Sequence, residues 1–479
     1  MSQIILGGEP QSAPLNSGTT VYGGIYGRTF FDVTDDTYYR EICPCAGTIK
    51  NLYVKLTGAP GAGKSYTFTL CVNGTPSALT CTIADTDTTG SDVTNTVSVS
   101  AGGTLSLVVV PSGSPTSVCL TFATQFTPSV SGETFLSLCK PTNYTTTLEF
   151  FSFAAGSYVG DNDTNATSLV IPCAGTVKKL YTKIVTAPSA PGGKTWVFTV
   201  QKNNVASALT CTIANNETTA NDTTHSFTVV AGDRIDIDVV PANTPAAWGA
   251  MTAGIVFLPD TAGNFILPHT KINDTPDSNR YFPPIGDKAS NATESNTAFM
   301  VPGNLVVKEM WLRIWGGAMT GSDTETITLR KGGVNTALTC TLDSTNPLTN
   351  NSASTITFSD YDLVSQIYAI SGSGKACQVS LLGYLSDAIG FLEFLFKDKN
   401  TSQQDTSVTW KGKTNLDPAI KPVYLEIFNR TSGLWEVLDS DNSSPINTNF
   451  TLTAIVSADL GDYFDANNWI SCRVYQELN

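Results

Sequence analysis

The chemistry that the sequence suggests most directly is phosphate binding. Residues 58–65, GAPGAGKS, match the pattern G-x-x-x-x-G-K-[ST] at every fixed position. That pattern binds phosphate where a strand leads in and a helix leads out, because backbone amides and the helix N-terminus then converge on the anion. After Ser65, however, Tyr66, Phe68 and Leu70 alternate with polar residues, which is the period of a strand. The loop is therefore predicted to join two strands at the surface.

The chain repeats itself, and the repeats argue against a phosphate site. CAGTIKNLYVKL begins at Cys45, and the similar CAGTVKKLYTKI begins at Cys173. In the second copy Pro188 takes the place of the first glycine of the pattern, and a third, more diverged copy has no lysine in this loop. The match is interpreted as a coincidence in a Gly/Pro/Ser-rich loop, and no cofactor is expected.

Catalytic candidates are few. The chain has two histidines, His225 and His269, which are not spaced as metal ligands, and no serine lies in a G-x-S-x-G pattern. The chain is predicted not to be an enzyme. The acidic loops that hold Asp85, Asp87 and Asp92 in one copy, and Glu217 and Asp222 in the next, offer oxygen atoms of the kind that calcium favours. They lack EF-hand spacing, so a plain polar loop is preferred and no metal site is predicted.

The chain has eleven cysteines, an odd number and a low density for a disulfide scaffold. One strand of the repeat has a cysteine at the same position in every copy: Cys81, Cys211 and Cys340. Each cysteine shares its face of the strand with a leucine two positions before it and an aliphatic residue two positions after it. These are predicted to be buried thiols. Cys71 is predicted to face outward instead, because its copies are Gln201 and Arg330.

Composition limits the possible partners and location. The net charge is -14 and only 14% of residues are charged, which argues against binding to nucleic acid or anionic membranes. The N-terminus lacks the basic and apolar regions of a secretory signal, and the apolar runs are too short to span a bilayer. We therefore expect that the chain folds in a reducing cytoplasm and does not insert into a membrane.

Alternating patterns separated by turn residues predict an all-β fold. In the second copy, strands are predicted at residues 168–172, 177–186, 195–202, 207–214, 225–230, 234–240 and 252–258, with the polar run 215–224 as a turn. Asn73-Gly74, Asn203-Asn204 and Gly332-Gly333 mark one hairpin in all three copies. Seven or eight short strands in each copy suit a jelly roll.

The first copy carries a resemblance to a known family. The run APGAGKSYTFTLCVNGTPSALTCTIADTDTTGSDVTNTVSVSAGGTLSLVVVPSGSP resembles the repeated jelly-roll modules of tailed-bacteriophage virion proteins, which are similar in topology to the TNF/C1q-like fold. The resemblance covers roughly residues 15–387. The third copy departs from it, with FSDYDLVSQIYAIS where the others have a glycine turn. The resemblance implies a structural role, such as a head decoration, a head fibre or a tail-associated fibre.

These features predict four domains. Three tandem jelly-roll β-sandwiches occupy residues 1–130, with an N-terminal arm, 131–261 and 262–387, and a small C-terminal β-sandwich occupies residues 388–479. Two arrangements of the jelly rolls stay open, a pseudo-threefold trimer and a linear stack. The C-terminal domain looks like the small sandwiches that end many phage and bacterial surface proteins, some of which bind glycans.

Two sets of side chains are candidate contacts. An aromatic residue beside a cation recurs on the outward face of one strand in all three copies: Tyr53 and Lys55, Tyr181 and Lys183, Trp311 and Arg313. Either this stripe contacts another protein, or it covers a neighbouring strand. In the C-terminal domain the candidate glycan contacts are Trp410, Trp435 and Trp469, with burial in the core as the other interpretation.

Together these observations lead us to expect a non-enzymatic virion structural protein that decorates or projects from a phage capsid. Its partners would be other virion proteins, with self-association as a further possibility, and it would assemble in the host cytoplasm. The alternative is a tail-fibre or cell-surface adhesin that binds host glycans through its C-terminal domain.

Overall fold

Two compact units make up the chain, Met1–Leu385 and Ser386–Asn479. In the computed structural model, the residues described are 2–9, 14–28, 31, 36–141, 147–153, 160–161, 167–189, 192–272, 280–287, 291–315, 317–372, 374–386, 391–401, 404–432 and 434–477. The prediction of an all-β fold with tandem β-sandwiches is confirmed, since antiparallel sheets build both units.

The first sandwich pairs a sheet of strand order β3-β1-β10-β5-β8 with a sheet of order β2-β9-β6-β7, in which β4 also pairs with β9. Its strands are β1 Gln3–Glu9, β2 Val21–Gly23, β3 Gly27–Arg28, β4 Glu41–Ile42, β5 Gly47–Leu56, β6 Gly61–Val72, β7 Thr75–Asp85, β8 Thr89–Val99, β9 Thr104–Ser112 and β10 Leu120–Pro128, with a 3-10 helix at Asp36–Tyr38.

The second sandwich has the sheets β11-β20-β15-β18 and β13-β12-β19-β16-β17, and β14 also pairs with β19. Its strands are β11 Thr134–Lys140, β12 Glu149–Phe151, β13 Gly160–Asp161, β14 Leu169–Val170, β15 Gly175–Ile184, β16 Thr195–Lys202, β17 Val205–Ala214, β18 Thr219–Val229, β19 Arg234–Ala242 and β20 Met251–Pro259.

The third sandwich repeats the strand orders of the first, as β23-β21-β30-β25-β28 and β22-β29-β26-β27, with β24 beside β29. Its strands are β21 Asn264–Ile272, β22 Arg280–Phe282, β23 Gly286–Asp287, β24 Phe299–Met300, β25 Leu305–Trp315, β26 Thr324–Lys331, β27 Val334–Leu342, β28 Thr349–Phe358, β29 Leu363–Ser371 and β30 Ala376–Leu385, with a 3-10 helix at Glu294–Asn296.

The second unit is a smaller sandwich of a four-stranded sheet, β31-β36-β33-β34, and a two-stranded sheet, β32-β35. Its elements are β31 Phe391–Lys399, β32 Thr406–Gly412, β33 Val423–Asn429, β34 Leu434–Asp441, β35 Phe450–Val456 and β36 Trp469–Glu477, with a 3-10 helix at Leu460–Asp462. Alternate residues of β33 and β36 point into a separate core that includes Leu425, Ile427 and Cys472.

The predicted hairpins are confirmed. Both central residues of each turn have positive φ, 54° and 78° at Asn73-Gly74, 52° and 64° at Asn203-Asn204, and 55° and 85° at Gly332-Gly333. Two-residue loops of this type match the right-handed twist of the strands they join. The same turn therefore sets the register of β6 with β7, β16 with β17 and β26 with β27.

Two local predictions were wrong. The polar run 215–224 is not all turn, because β18 begins at Thr219. Polar residues suit this strand because it lies at the edge of its sheet, with one face open to water. Cys71 is buried, because Asp36 and Arg40 of the segment before β4 lie close to its thiol, on the sheet face away from the core.

The buried cysteines follow the predicted pattern elsewhere. Cys81, Cys211 and Cys340 are buried free thiols within the core of their sandwiches. Burial raises the pKa of the Cys81 and Cys340 thiols to about 12 and that of Cys211 to about 11. These thiols are therefore protonated and unreactive at neutral pH, as expected for packing residues.

Candidate functional site

The phosphate-binding pattern forms no phosphate site. Its residues run from the loop after β5 into β6, which begins at Gly61, so a strand and not a helix follows the loop. The backbone amide of Gly63 donates to the Asp85 carboxylate at 2.6 Å. A loop amide that a phosphate would need is thus bonded to a carboxylate of the same sandwich, which would repel the anion.

Asp92 and Asp222 lie in the edge strands β8 and β18, not in the predicted polar loops, and tie these strands to β7 and β17. The Asp92 carboxylate accepts hydrogen bonds from the backbone amides of Thr80, Thr94 and Asn95 at 3.0–3.1 Å, and Asp222 repeats this pattern with Thr210, Thr224 and His225. Although desolvation opposes it, these bonds hold the pKa of both carboxyl groups well below the usual range. Among the described residues, no cluster of three or more His, Cys, Asp or Glu side chains could hold a metal ion.

The three jelly rolls meet in a closed ring of equivalent contacts. The short strand β4 of the first sandwich packs on β15 and β20 of the second, β14 of the second packs on β25 and β30 of the third, and β24 of the third packs on β5 and β10 of the first. Each contact thus joins the same two surfaces, as in a heterologous interface that closes after three copies. A single core of buried apolar side chains continues through all three sandwiches.

Backbone groups of these short strands bond to the next sandwich. The amide of Ile42 donates to Thr252 Oγ1 at 3.0 Å, and Thr121 Oγ1 donates to the carbonyl of Ala298 at 3.1 Å. A Cβ on Gly254 would lie 3.0 Å from the Ile42 carbonyl oxygen and 3.0 Å from Pro44, so a side chain here would press on the short strand and the residues after it. The contacts between sandwiches therefore depend on specific backbone hydrogen bonds and close backbone approach as well as on the burial of apolar side chains.

The aromatic–cation stripe lies at all three contacts of the ring. Tyr181 packs on Gly102 of the first sandwich, where an added Cβ would lie 3.2 Å from Tyr181 Cε1. Trp311 packs on Gly232 of the second sandwich in the same way, at 3.3 Å. Gly102 and Gly232 have φ of 77° and 89°, so they supply both a left-handed turn and room for a ring.

The third contact replaces the glycine with an aromatic residue. Tyr361 has φ of 67° and stands where Gly102 and Gly232 stand in their copies. Its ring lies 4.8 Å from that of Tyr53, and the Tyr53 hydroxyl donates to the Asp360 carboxylate at 2.9 Å. The sequence departure of the third copy is therefore part of the contact that closes the ring.

The cations of the stripe also face neighbouring sandwiches. The Lys55 ammonium donates to the Ser295 carbonyl of the third sandwich, and Lys183 lies beside Arg40 of the first. Burial lowers the pKa of both lysines, with the charge of Arg40 adding to the effect at Lys183. Arg313 is buried near Asp236 of the second sandwich. For all six stripe residues, the surface that they meet is thus another part of the same chain.

Asp236 is a buried carboxyl group in strand β19 of the ring. Burial, together with the charge of the neighbouring Asp238, raises its pKa to about 7, although a 3.0 Å hydrogen bond from Thr167 opposes the shift. The equivalent residues, Ser106 and Ser365, instead donate to Asp36 and Glu294 at 2.5 and 2.6 Å. In all three sandwiches an acid–hydroxyl pair ties the segment before the short strand to the sheet beneath it.

The candidate tryptophans of the second unit do not form one site. Trp410 points inward, with its ring 5.4 Å from that of Phe450, and lines a groove of about 270 Å³ beside Phe394. Trp435 and Trp469 lie on the outer face of the four-stranded sheet. Trp469 is 37% exposed, and the Lys399 ammonium lies 5.9 Å from its ring centre.

The outer face of the four-stranded sheet also holds side chains that the sequence did not single out. The ring of Phe428 lies 5.2 Å from that of Trp435, and the Arg473 guanidinium lies 4.5 Å from the Trp435 ring and 2.5 Å from the Glu426 carboxylate. The signal that could have found them is the alternation of β33 and β36, which places Phe428 and Arg473 opposite the apolar core positions.

Comparisons with known proteins give no family. No protein-family model and no curated protein matches the chain. Among solved structures, PNGF-II in a C2 crystal form is similar over 70% of this chain and 98% of that chain, with 9% identity and a TM-score of 0.19. PNGF-II in a P21 form is similar over 67% and 98%, with 10% identity and a TM-score of 0.18. Likenesses this weak carry no conclusion on fold or function. Among the described residues, no helix is long and apolar enough to span a membrane.

Proposed function

We propose that the chain is a non-enzymatic structural protein of a bacteriophage virion, which decorates or projects from the capsid. The observation that carries the proposal is the closed ring of three jelly rolls, in which the stripe residues and the short strands join the sandwiches within one chain. Such a ring offers a nearly threefold surface without self-association, which suits attachment at the threefold axes of a shell.

The polar chemistry of the first unit supports a structural role. Asp92, Asp222, Asp36 and Glu294 are each bonded to hydroxyl or amide groups of their own sandwich. Such carboxylates hold loops in place and have no open position toward a substrate. The sequence resemblance to phage jelly-roll modules points to the same class of protein.

The test is gold-labelled antibody electron microscopy of gradient-purified particles from the source. We expect regularly spaced gold over the capsid, and no gold after the antibody is absorbed with the purified protein. Gold confined to the tail tips would move the assignment to a tail fibre. Gold on no particle would overturn the virion assignment.

A second candidate function is a glycan-binding adhesin. The observation that favours it is the outer face of the C-terminal four-stranded sheet, where Phe428 and Trp435 lie side by side and Trp469 is exposed. Sugar rings stack on such aromatic surfaces. A glycan array probed with the full chain tests this function, and an array without hits would remove it while leaving the virion assignment in place.

A further inference from the structure

A groove crosses the outer face of the four-stranded sheet of the second unit. Its volume is about 470 Å³, which is in the size range of small-ligand sites. Phe428 and Trp435 line one side, and Leu395 and Lys397 line the other. Ser471 lies between them on the central strand β36, opposite Lys397 of β31. The groove exists because this central position carries a small side chain where its neighbours carry large ones.

Arg430 stands in this groove with its guanidinium held by neutral acceptors. It donates to the carbonyl oxygen of Tyr463 at 3.1 Å, to that of Trp469 at 3.4 Å and to Ser471 Oγ at 3.0 Å. In the described part of the chain no carboxylate forms an ion pair with this guanidinium, although the charge of Asp465 lies close enough to interact with both Arg430 and Lys397. The Lys397 ammonium is exposed, and no described carboxylate forms an ion pair with it.

Basic side chains are concentrated on this face, although the second unit as a whole carries a net negative charge. Residues 386–479 include thirteen acidic and seven basic residues. Four of the basic residues nevertheless lie on this face or at its rim: Lys397, Lys399, Arg430 and Arg473. Of the nearby carboxylates, Glu426 is bound to Arg473, and Asp465 accepts hydrogen bonds from the backbone amides of Asn467 and Trp469. Lys397 and Arg430 therefore give the groove a local attraction for anions.

We propose that this groove binds a saccharide that carries a carboxylate group, with the sugar face on Phe428 and Trp435 and the carboxylate between Lys397 and Arg430. The inference rests on the second candidate function and names its ligand class. Flat rings beside two cations suit a ligand with one apolar face and one negative charge. A nucleic acid fits less well, because the net negative charge of the unit repels a polyanion.

Matched ligand pairs test the charge. Titration calorimetry with the full chain would compare methyl galacturonoside with its methyl ester, and sialyllactose with lactose, since the members of each pair differ in a single acidic group. We expect the acidic members to bind at least about tenfold more tightly than the neutral ones, as a charge-assisted hydrogen bond gives. Equal binding of both members would overturn the acidic ligand class and leave a neutral glycan function standing.

Matched variants test the place. Lys397→Glu should abolish binding of the acidic sugars, and Ser471→Phe should fill the groove and abolish binding of all sugars, with an unchanged circular dichroism spectrum as the check on folding. Lys411→Glu, an exposed position on the two-stranded sheet, makes the same change of charge outside the groove and should bind like the wild type.

Three other results would contradict the inference. An equal loss of binding in Lys411→Glu and Lys397→Glu would show that only net charge matters. Binding of a mixed-sequence single-stranded oligonucleotide as tight as that of sialyllactose would overturn the carbohydrate class. No binding of any sugar would overturn both this inference and the adhesin function, while the gold labelling of particles would still decide the virion assignment independently.

Discussion

At the scale of single residues, the aromatic side chains of the stripe stabilise the first unit by packing on the next sandwich. Trp311→Ala should lower the free energy of unfolding by about 2 kcal/mol, because it removes a ring that is only partly buried. Urea unfolding followed by circular dichroism would measure the change. Trp469→Ala, on the exposed face of the second unit, is the control and should leave the first unit as stable as before. An unchanged unfolding midpoint in Trp311→Ala would contradict the contact with Gly232.

Asp92 stabilises the first sandwich through the hydrogen bonds that its carboxylate accepts from backbone amides. Asp92→Ala should lower the free energy of unfolding by about 2–4 kcal/mol, because three backbone amides lose a charged hydrogen-bond partner at once. Thermal unfolding would measure this loss. Asp87→Ala changes an exposed aspartate of the turn between β7 and β8 and is expected to have little effect. Similar losses in the two variants would show that this part of the sandwich needs acidic residues in general.

Asp236 makes stability depend on pH. Its pKa in the folded chain, about 7, lies above the ordinary value of 3.8, so the folded state holds a proton that the unfolded state releases. The contribution of this group is therefore complete below about pH 4 and is lost as the pH rises through about 7.

The variant Asp236→Asn isolates this effect. It should match the wild type near pH 4.5 and be more stable at pH 8, by an amount on the order of 4 kcal/mol at most, from a shift of about three pKa units. Urea unfolding at both pH values would measure the difference, and subtracting the wild-type curve removes the contribution of other carboxyl groups. A variant that shows the wild-type pH dependence would contradict the assignment to Asp236.

At the scale of elements, the short strand β4 and its copies are what joins one sandwich to the next. Gly254→Val should separate the first two sandwiches locally, because its side chain would collide with the Ile42 carbonyl and with Pro44. Hydrogen exchange should then increase at residues 41–45 and in β20. Gly18→Ala, at an exposed glycine where an added Cβ would make only an ordinary contact with the Asn16 side chain, is the control. Unchanged exchange in Gly254→Val would contradict the close approach of the two backbones.

The alternation of apolar and polar residues predicted strands correctly where both faces of the strand contact only residues of its own sheets or water. The second copy was expected to have a strand at residues 195–202, and β16 spans Thr195–Lys202, because alternation and an adjacent turn define it. The pattern failed for Cys71, whose cover comes from a segment about thirty residues earlier that no alternation reports. It failed for the start of β18 because an edge strand tolerates polar residues on its open face.

The candidate site was predictable only in part. The stripe was visible as a recurring aromatic–cation pair, but one strand cannot tell whether its outward face meets another chain or the next repeat. The closing contact of Tyr53 with Tyr361 joins residues about 300 positions apart, which no local pattern brings together. The groove over Ser471 likewise depends on four neighbouring strands, so it was found only once their register was known.

At the scale of the whole molecule, one chain supplies what three subunits supply in a symmetric trimer. Fusion fixes the order of the three sandwiches and lets each contact differ, as the tyrosine pair at the closing contact does. The first unit can therefore match a threefold site on a particle while presenting three chemically different outer surfaces. This combination supports our proposal that the ring attaches the protein to a particle.

Cryo-electron microscopy of gradient-purified particles from the source tests this account most directly, with the density at the capsid surface classified without imposed local symmetry. The account predicts, at the surface of the shell, a compact three-lobed density of the size of residues 1–385 whose lobes meet around one axis. Three lobes stacked in a row would contradict the ring, and a shell without such density would contradict the proposed place of the protein on the capsid.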